Sequence, residues 1–458
     1  MVFCKIFFKR SLYSFYLTLV LLTYTFPSYS MIHTWSLDEC IHYALSNNPD
    51  VKIQELSYED KIIDHNTEKN GWLPKVSMVS TQLVTFGRSL TYENTYSNTS
   101  TRQTTFSLSG EMTLFDGLRQ HYEVKMANDL MRKEEYLLKQ TKINLAMKVT
   151  GAYIQVLLDL ESLGIAEQQV KIDSMQTSRM NHLFVHGKAS YVDITQQKAT
   201  LQNSIAKSVE SQNQLQIDQL VLCQLMNLRD STTITIGKFE ENNLPSMLPE
   251  KPDVIYDNAI RHYPDILSQK AAISSSENKI KIYQSDRYPQ LSLVGGVGSN
   301  YYKTNGLSNG SFGNQMKNNF SQEIQLQLTI PIFNRFSTRN NIRKANVEKT
   351  ENEYRLMKKE QELYKEISQT YARAMNAYSN IESYSKAVES NREAFKLMSK
   401  KYECGKATQV EFDDSKTKLL KALSTRIQAV YEYIYTRVRD KKRLEKVGNL
   451  VKNSYLYR

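Results

Sequence analysis

The sequence predicts a mainly α-helical chain with a β-barrel contribution, built as two copies of one plan in which each copy runs helix, strand hairpin and long helix hairpin. Three observations predict it. Landmarks recur along the chain at a near-constant spacing; after a proline in each copy the periodicity changes from helical to two; and proline-free helical stretches follow that, each long enough for on the order of 100 Å of helix.

The first element is a leader. Lys5, Lys9 and Arg10 precede an apolar stretch from Leu12 to Phe26, then Pro27, Ser28, Tyr29 and Ser30, the order of a secretory signal peptide. Its apolar core is shorter than the roughly 20 residues a membrane-spanning helix needs, so residues 1–30 are expected to be removed and the mature chain to start near Met31. No later segment is read as a continuous apolar run of that length, and further membrane insertion would have to use strands.

The repeats follow. Asn48, Pro49 and Asp50 return as Tyr263, Pro264 and Asp265; Leu73, Pro74 and Lys75 return as Tyr288, Pro289 and Gln290; His186, Gly187, Lys188 and Ala189 return as Cys404, Gly405, Lys406 and Ala407. We place the first repeat at 31–227, a polar connector bearing Pro245, Pro249 and Pro252 at 228–252, the second repeat at 253–448 and a tail at 449–458. Each repeat opens with an interrupted helix: Ser36 and Glu39 have capping-box spacing, and Pro49 and Pro264 each restart a helix that leads to a second proline.

Beyond that proline the pattern alternates. Phe106, Leu108, Gly110, Met112 and Leu114 share one side of a strand against Ser107, Ser109, Glu111 and Thr113, and Ile324, Leu326, Leu328 and Ile330 oppose Glu323, Gln325, Gln327 and Thr329. The expected strands are 74–86, 104–115, 289–300 and 321–332, joined by loops at 87–103 and 301–320. Their length and the aromatic residues at their ends fit tilted strands crossing a bilayer. Trp72, Phe115, Tyr288 and Phe333 fall at one boundary, and Phe86, Tyr301 and Tyr302 near the other. Four strands cannot close a barrel, and lipid does not tolerate an open edge, so closure must come from further copies of the chain. Three copies are the fewest that leave an aqueous lumen, and strand counting leaves a tetramer open.

The helical stretches 118–186 and 336–404 contain no proline, and Ile367, Tyr371, Ala374, Tyr378, Ile381 and Val388 keep near-heptad spacing, a coiled-coil seam. Gly187 and Gly405 end these helices, and second helices, 190–227 and 409–448, return antiparallel.

Charge and cysteine usage bound the function. The formal charge of +11 becomes +8 once Lys5, Lys9 and Arg10 leave with the leader, and basic runs such as Lys441, Lys442 and Arg443 alternate with acids, so a solvated helix face is expected and nucleic acid is not a partner. Cys40, Cys223 and Cys404 are odd in number and widely spaced, reading as three isolated thiols. His182 and His186 stand four apart on a helix without a third ligand; no nucleophile motif or phosphate loop appears, and neither catalysis nor a cofactor or metal is expected.

With these residues placed, the chain resembles the TolC-like family of outer-membrane efflux proteins over essentially its whole mature length. The resemblance rests on Trp35, Ser36, Leu37, Asp38, Glu39, Cys40 and Ile41 with Asn47, Asn48 and Pro49; on the paired strand-entry prolines; on Leu114, Phe115, Asp116 and Gly117 and Pro331, Ile332, Phe333 and Asn334 closing the hairpins; and on the twin glycine tips. It implies a homotrimer in outer-membrane lipid with a twelve-stranded barrel, an α-helical barrel in the periplasm, and a passive conduit for efflux or type I secretion. The tips would dock a periplasmic adaptor serving an inner-membrane transporter, through Gly187, Lys188, Ala189, Gly405, Lys406 and Ala407. It also implies a periplasmic gate. Glu411 and Asp414, sharing a helix face, would form a ring of carboxylates that attracts cations and whose crowding raises its own pKa values, while Asp193 and Tyr402 match positions that hold the entrance closed. Ala407, beside Lys406, stands where some relatives carry an arginine, so that family's salt bridge is not carried over. The alternative is a periplasmic coiled-coil adaptor or structural protein, which shares the leader and long helices but needs no amphipathic strands.

Overall fold

The computed structural model describes residues 34–90, 94–98, 100–228, 235–237, 251–305 and 307–453; the expected leader, the greater part of the connector and the last five residues lie outside them. Two compact units divide the chain, Met1–Tyr43 with Ala152–Asn243 and Ala44–Gly151 with Leu244–Arg458. The division does not follow the repeats, because one 67-residue helix runs out of the second unit into the first.

In the first unit, β1 (Thr34–Trp35) pairs in parallel with β6 (Thr235–Ile236). The Ser36–Glu39 capping box is formed: Ser36 N–H donates to Glu39 Oε2 at 2.9 Å and Glu39 N–H to Ser36 Oγ at 3.3 Å, opening α1 (Leu37–Asn47). The distal part of α3 (Arg119–Val185) and α4 (Tyr191–Met226) form an antiparallel hairpin whose contacts step outward from its turn. Gln197 and Ser204 bond Asp173, and farther from the turn Asp218 meets Asp159. Cys40, Val156, Leu222, Cys223 and Met226 are fully buried in this unit. All three cysteines are free thiols, Cys40 and Cys223 buried and Cys404 exposed. Burial pushes the Cys40 thiol up to about 12, with smaller contributions from Glu39 and Cys223.

The second unit carries the sheet. Asn48 caps α2 (Pro49–Lys69) by accepting from Asp50 N–H at 2.9 Å, and Pro49 at the first turn forfeits no helical hydrogen bond. The matching helices of the second repeat are α5 (Pro252–His262) and α6 (Pro264–Ser285). Tyr263 and Ile266 pack on Leu363 and Ile367 of α8 (Ser337–Glu403), and Gln140 donates to the Tyr263 hydroxyl at 3.0 Å. Ile367, Ala374 and Val388 of the expected seam are buried, whereas Tyr378 is partly exposed and tilts against Tyr433 of α9 (Gln409–Asn453).

One four-stranded antiparallel sheet has the order β2-β5-β7-β8: β2 (Lys75–Thr85), β5 (Thr101–Phe115), β7 (Gln290–Thr304) and β8 (Ser321–Thr329). Each repeat supplies one hairpin, β5 and β7 join them, and β2 and β8 each have one edge unpaired among the described residues. β8 stops before Pro331, which has no N–H to give a ladder.

Both expected loops contain regular structure. β3 (Arg88–Leu90) and β4 (Tyr96–Asn98) form a small hairpin, and α7 (Phe312–Asn318) interrupts the second loop. β7 extends past the start of β8, and side-chain amides cover the edge so exposed. Gln315 accepts from Tyr302 N–H at 2.9 Å and donates to Tyr302 O at 3.0 Å, Asn309 does the same for Thr304 at 2.8 Å each, and Asn319 donates to Asn300 O at 2.7 Å.

Strand passes to long helix through the same turn twice. Gly117 and Leu118 before α3, and Arg335 and Phe336 before α8, all have φ between 56° and 71°. At Gly117 a Cβ would lie 2.8 Å from both the Ser285 carbonyl oxygen and Tyr288 Cβ, so close approach as well as φ demands glycine.

Candidate functional site

The register assigns the two faces of the sheet. Met78, Leu108 and Val297 lie in one cross-strand row, as do Met112, Leu293 and Leu326, and they share one side with Val76, Ile324 and Leu328. Ile324, Leu326 and Leu328 are 86%, 62% and 60% exposed, an apolar surface that water disfavours. Opposite them stand Lys75 facing Glu111, and Ser77, Ser109, Gly296 and Glu323 in one row. A recess of about 320 Å³ opens beside Ser107, Ser109, Gly296, Gly298, Ser321 and Glu323. One sheet therefore offers a lipid-compatible face and a water-compatible face, the requirement for a barrel wall.

The expected interface aromatics all lie where the sheet meets the long helices. Phe115 ends β5 opposite Leu291, Tyr288 packs on Gly117, Phe333 meets Phe336 edge-on at 5.4 Å, and Trp72 precedes β2; all four remain partly exposed. Phe86 stands exposed at the other end.

Each tip is locked from both sides. At the first, in the first unit, Gly187 N–H donates to Phe184 O at 2.9 Å and Lys188 N–H to Leu183 O at 2.8 Å, with Gly187 at φ 68°, a Schellman ending. Ser190 then caps α4: its Oγ accepts from Asp193 N–H, and Asp193 Oδ2 accepts from Ser190 N–H at 2.9 Å and Oγ–H at 2.7 Å. The second tip, in the second unit, repeats this. Gly405 N–H donates to Tyr402 O at 3.1 Å and Lys406 N–H to Lys401 O at 2.8 Å, with Gly405 at φ 69°. Thr408 Oγ1 accepts from Glu411 N–H at 3.2 Å, and Glu411 Oε2 accepts from Thr408 N–H at 2.7 Å and Oγ1–H at 2.9 Å.

The expected gate residues are thus placed as follows. Asp193 and Glu411 are the twin N3 acids of the caps. Bonds from Ser190, side chain first, hold Asp193 below its ordinary pKa; bonds from Thr408, backbone first, do the same for Glu411. Within one chain Glu411 therefore moves opposite to the upward shift expected of a crowded ring. Asp414 is turned to Lys418 at 2.6 Å, and neighbouring Asp413 to Lys416 at 2.9 Å. Tyr402 donates to Gln409 and stacks on Phe412 at 4.9 Å, inside its own tip. Lys188, Ala189, Lys406 and Ala407 occupy the turns themselves. The two capping boxes are legible as Ser-x-x-Asp and Thr-x-x-Glu beside the glycines, equivalent in capping chemistry although the residues differ between the repeats. Among the described residues no group of three or more His, Cys, Asp or Glu is arranged to hold a metal, and His186 Nδ1 lies 2.8 Å from His182 O. By length and composition α3 contains a stretch apolar enough to cross a membrane, which corrects the expectation that none follows the leader; Val149, Tyr153, Val156 and Leu157 of this helix are buried.

Comparison with known proteins matches this geometry. The probable efflux pump outer membrane protein TtgC of Pseudomonas putida is 23% identical over 397 residues, covering 85% of this chain and 78% of that protein. Among solved structures, the Campylobacter jejuni CmeC outer membrane channel superposes with a TM-score of 0.78 at 16% identity, covering 91% of this chain and 88% of that one. A CusC structure superposes with a TM-score of 0.75 at 16% identity, over 90% and 91%. The family model for outer membrane efflux proteins matches twice, at residues 40–228 and 255–439, one match to each repeat, and the chain accordingly belongs to the outer membrane efflux protein family.

Proposed function

We propose that the chain is the passive outer-membrane conduit of a tripartite efflux or type I secretion system, assembled as a homotrimer. The observation that carries this is the sheet, with an apolar face, a polar face and two unpaired edges, β2 and β8. Pairing β2 of one copy with β8 of the next would close twelve strands around water, and the long hairpins would continue the path through the periplasm. The matched family favours this reading over a coiled-coil adaptor. In the same reading residues 1–30 are a cleaved leader, 31–227 and 253–448 are the repeats, and 228–252 is their connector. The turns at Gly187–Ala189 and Gly405–Ala407 meet a periplasmic adaptor that links the conduit to an inner-membrane transporter, and that transporter sets the cargo. The conduit performs no chemistry and binds neither cofactor nor nucleic acid.

Glu411 and Asp414, present three times in a trimer, form the selectivity ring of the periplasmic entrance, and Asp193 and Tyr402 belong to the contacts that close it. Planar-bilayer conductance of the purified protein tests this. Single channels that favour cations are expected, and Glu411→Ala with Asp414→Ala together should lower the cation preference severalfold. Unchanged selectivity removes the ring, and a protein that migrates as a monomer with and without heating removes the conduit.

A further inference from the structure

On the apolar side of the sheet, two basic residues face each other at the end far from the long helices. Arg102 of β5 and Lys303 of β7 are direct cross-strand partners. No register shift intervenes between them and Leu108 or Val297, so alternation puts both on the same face as those side chains. Both are exposed, and among the described residues neither forms an ion pair. Like charges directly opposite in an antiparallel pair repel, so the pair weakens the sheet unless an anion sits between them.

Depth identifies that anion. β5 and β7 are 15 residues each, and at about 3.4 Å per residue with a tilt near 40° they rise roughly 35–40 Å along a barrel axis, against an apolar band of about 25 Å. Phe115 and Leu291 mark the inner margin of that band, so the second residue of β5 and the second-last of β7 stand clear of hydrocarbon at the level of the outer headgroups. Tyr301, on the same face one row nearer the band, supplies the aromatic boundary.

We propose that Arg102 and Lys303 dock the phosphate groups of the anionic glycolipid that fills the outer leaflet, Arg102 as a planar fork and Lys303 as a point charge. This rests on the reading of the sheet as a barrel wall. A trimer presents three such sites, each within one copy.

Native mass spectrometry of the purified full-length protein, titrated with diphosphorylated lipid A, dephosphorylated lipid A or inorganic phosphate, tests the site. The wild type should bind the diphosphorylated lipid about tenfold more tightly than the dephosphorylated one, and inorganic phosphate at equal concentration should not displace it. Arg102→Gln with Lys303→Gln should lose that preference, Arg102→Lys with Lys303→Arg should keep it, and Lys75→Gln, on the polar face, should leave it unchanged. Equal affinity of the wild type for both lipids overturns the proposal whether or not the double variant folds. Displacement by inorganic phosphate overturns the lipid as occupant, and a preference that survives in a folded double variant overturns the residues. A protein that enters no bilayer overturns the wall itself, an outcome distinct from insertion without regard to phosphate.

Discussion

At Asp159 the carboxyl is pushed up to about 7, first by burial and then by the Asp218 carboxyl against it. The neighbouring amides fix this arrangement: Gln155 donates to Asp159 Oδ1 at 3.1 Å and Gln214 to Asp218 Oδ2 at 2.9 Å. Because the folded pKa lies above the ordinary 3.8, the folded state keeps a proton that the unfolded chain releases, and stability falls as pH rises from about 4 to about 7. Asp159→Asn removes the titrating group while keeping the shape. Its melting temperature should equal the wild type's at pH 4 and exceed it by a few degrees at pH 8. Calorimetry at both values checks this, and parallel pH profiles for the two proteins would refute it. The sequence gives no sign of the pair, because the acids lie on separate helices and meet only once α3 and α4 align.

Helix ends show a different balance between local and tertiary information. Gly405 sits at φ 69° with no heavy atom within 4 Å of where a Cβ would stand, so Gly405→Ala meets only the left-handed penalty of about 1–2 kcal/mol. That should raise amide exchange at Lys406 roughly tenfold and leave the sheet unaffected, as hydrogen exchange would read directly. The box beside it carries a pH signature. Glu411, held below 4.5 by Thr408, contributes its capping bonds above that value and loses them as pH falls through its lowered pKa. Protection factors at the start of α9 should therefore fall in acid, and Glu411→Gln should abolish that acid dependence. Caps, prolines and helix lengths were readable because their causes lie within a few residues; the expected stretches 118–186 and 336–404 became Arg119–Val185 and Ser337–Glu403. The hairpin β3–β4 and the helix α7 were not, since polar residues that pair with an edge resemble those of a plain loop. Gln315 and Asn309 acquire meaning only because β7 outruns β8.

Across the whole molecule, the sheet is the part that a single chain cannot finish. β2 and β8 are long edges of a kind soluble proteins blunt or cover, and the apolar face beside them is too large to leave in water. Membrane burial and closure by further copies, as proposed, would satisfy both demands together, which makes the two faces of β8 separable by mutation. Leu326 points to the apolar side and Gln325 to the polar side, one residue apart on the same strand. Lysine at a lipid-facing midplane position costs about 2–4 kcal/mol per copy, whereas lysine in a lumen is solvated. Leu326→Lys should therefore strongly reduce the heat-modifiable oligomer recovered from outer membranes. Gln325→Lys should assemble normally and shift single-channel selectivity toward anions. Equal recovery of both variants would mean that the two faces see the same solvent, and a wall between lipid and water would then be untenable.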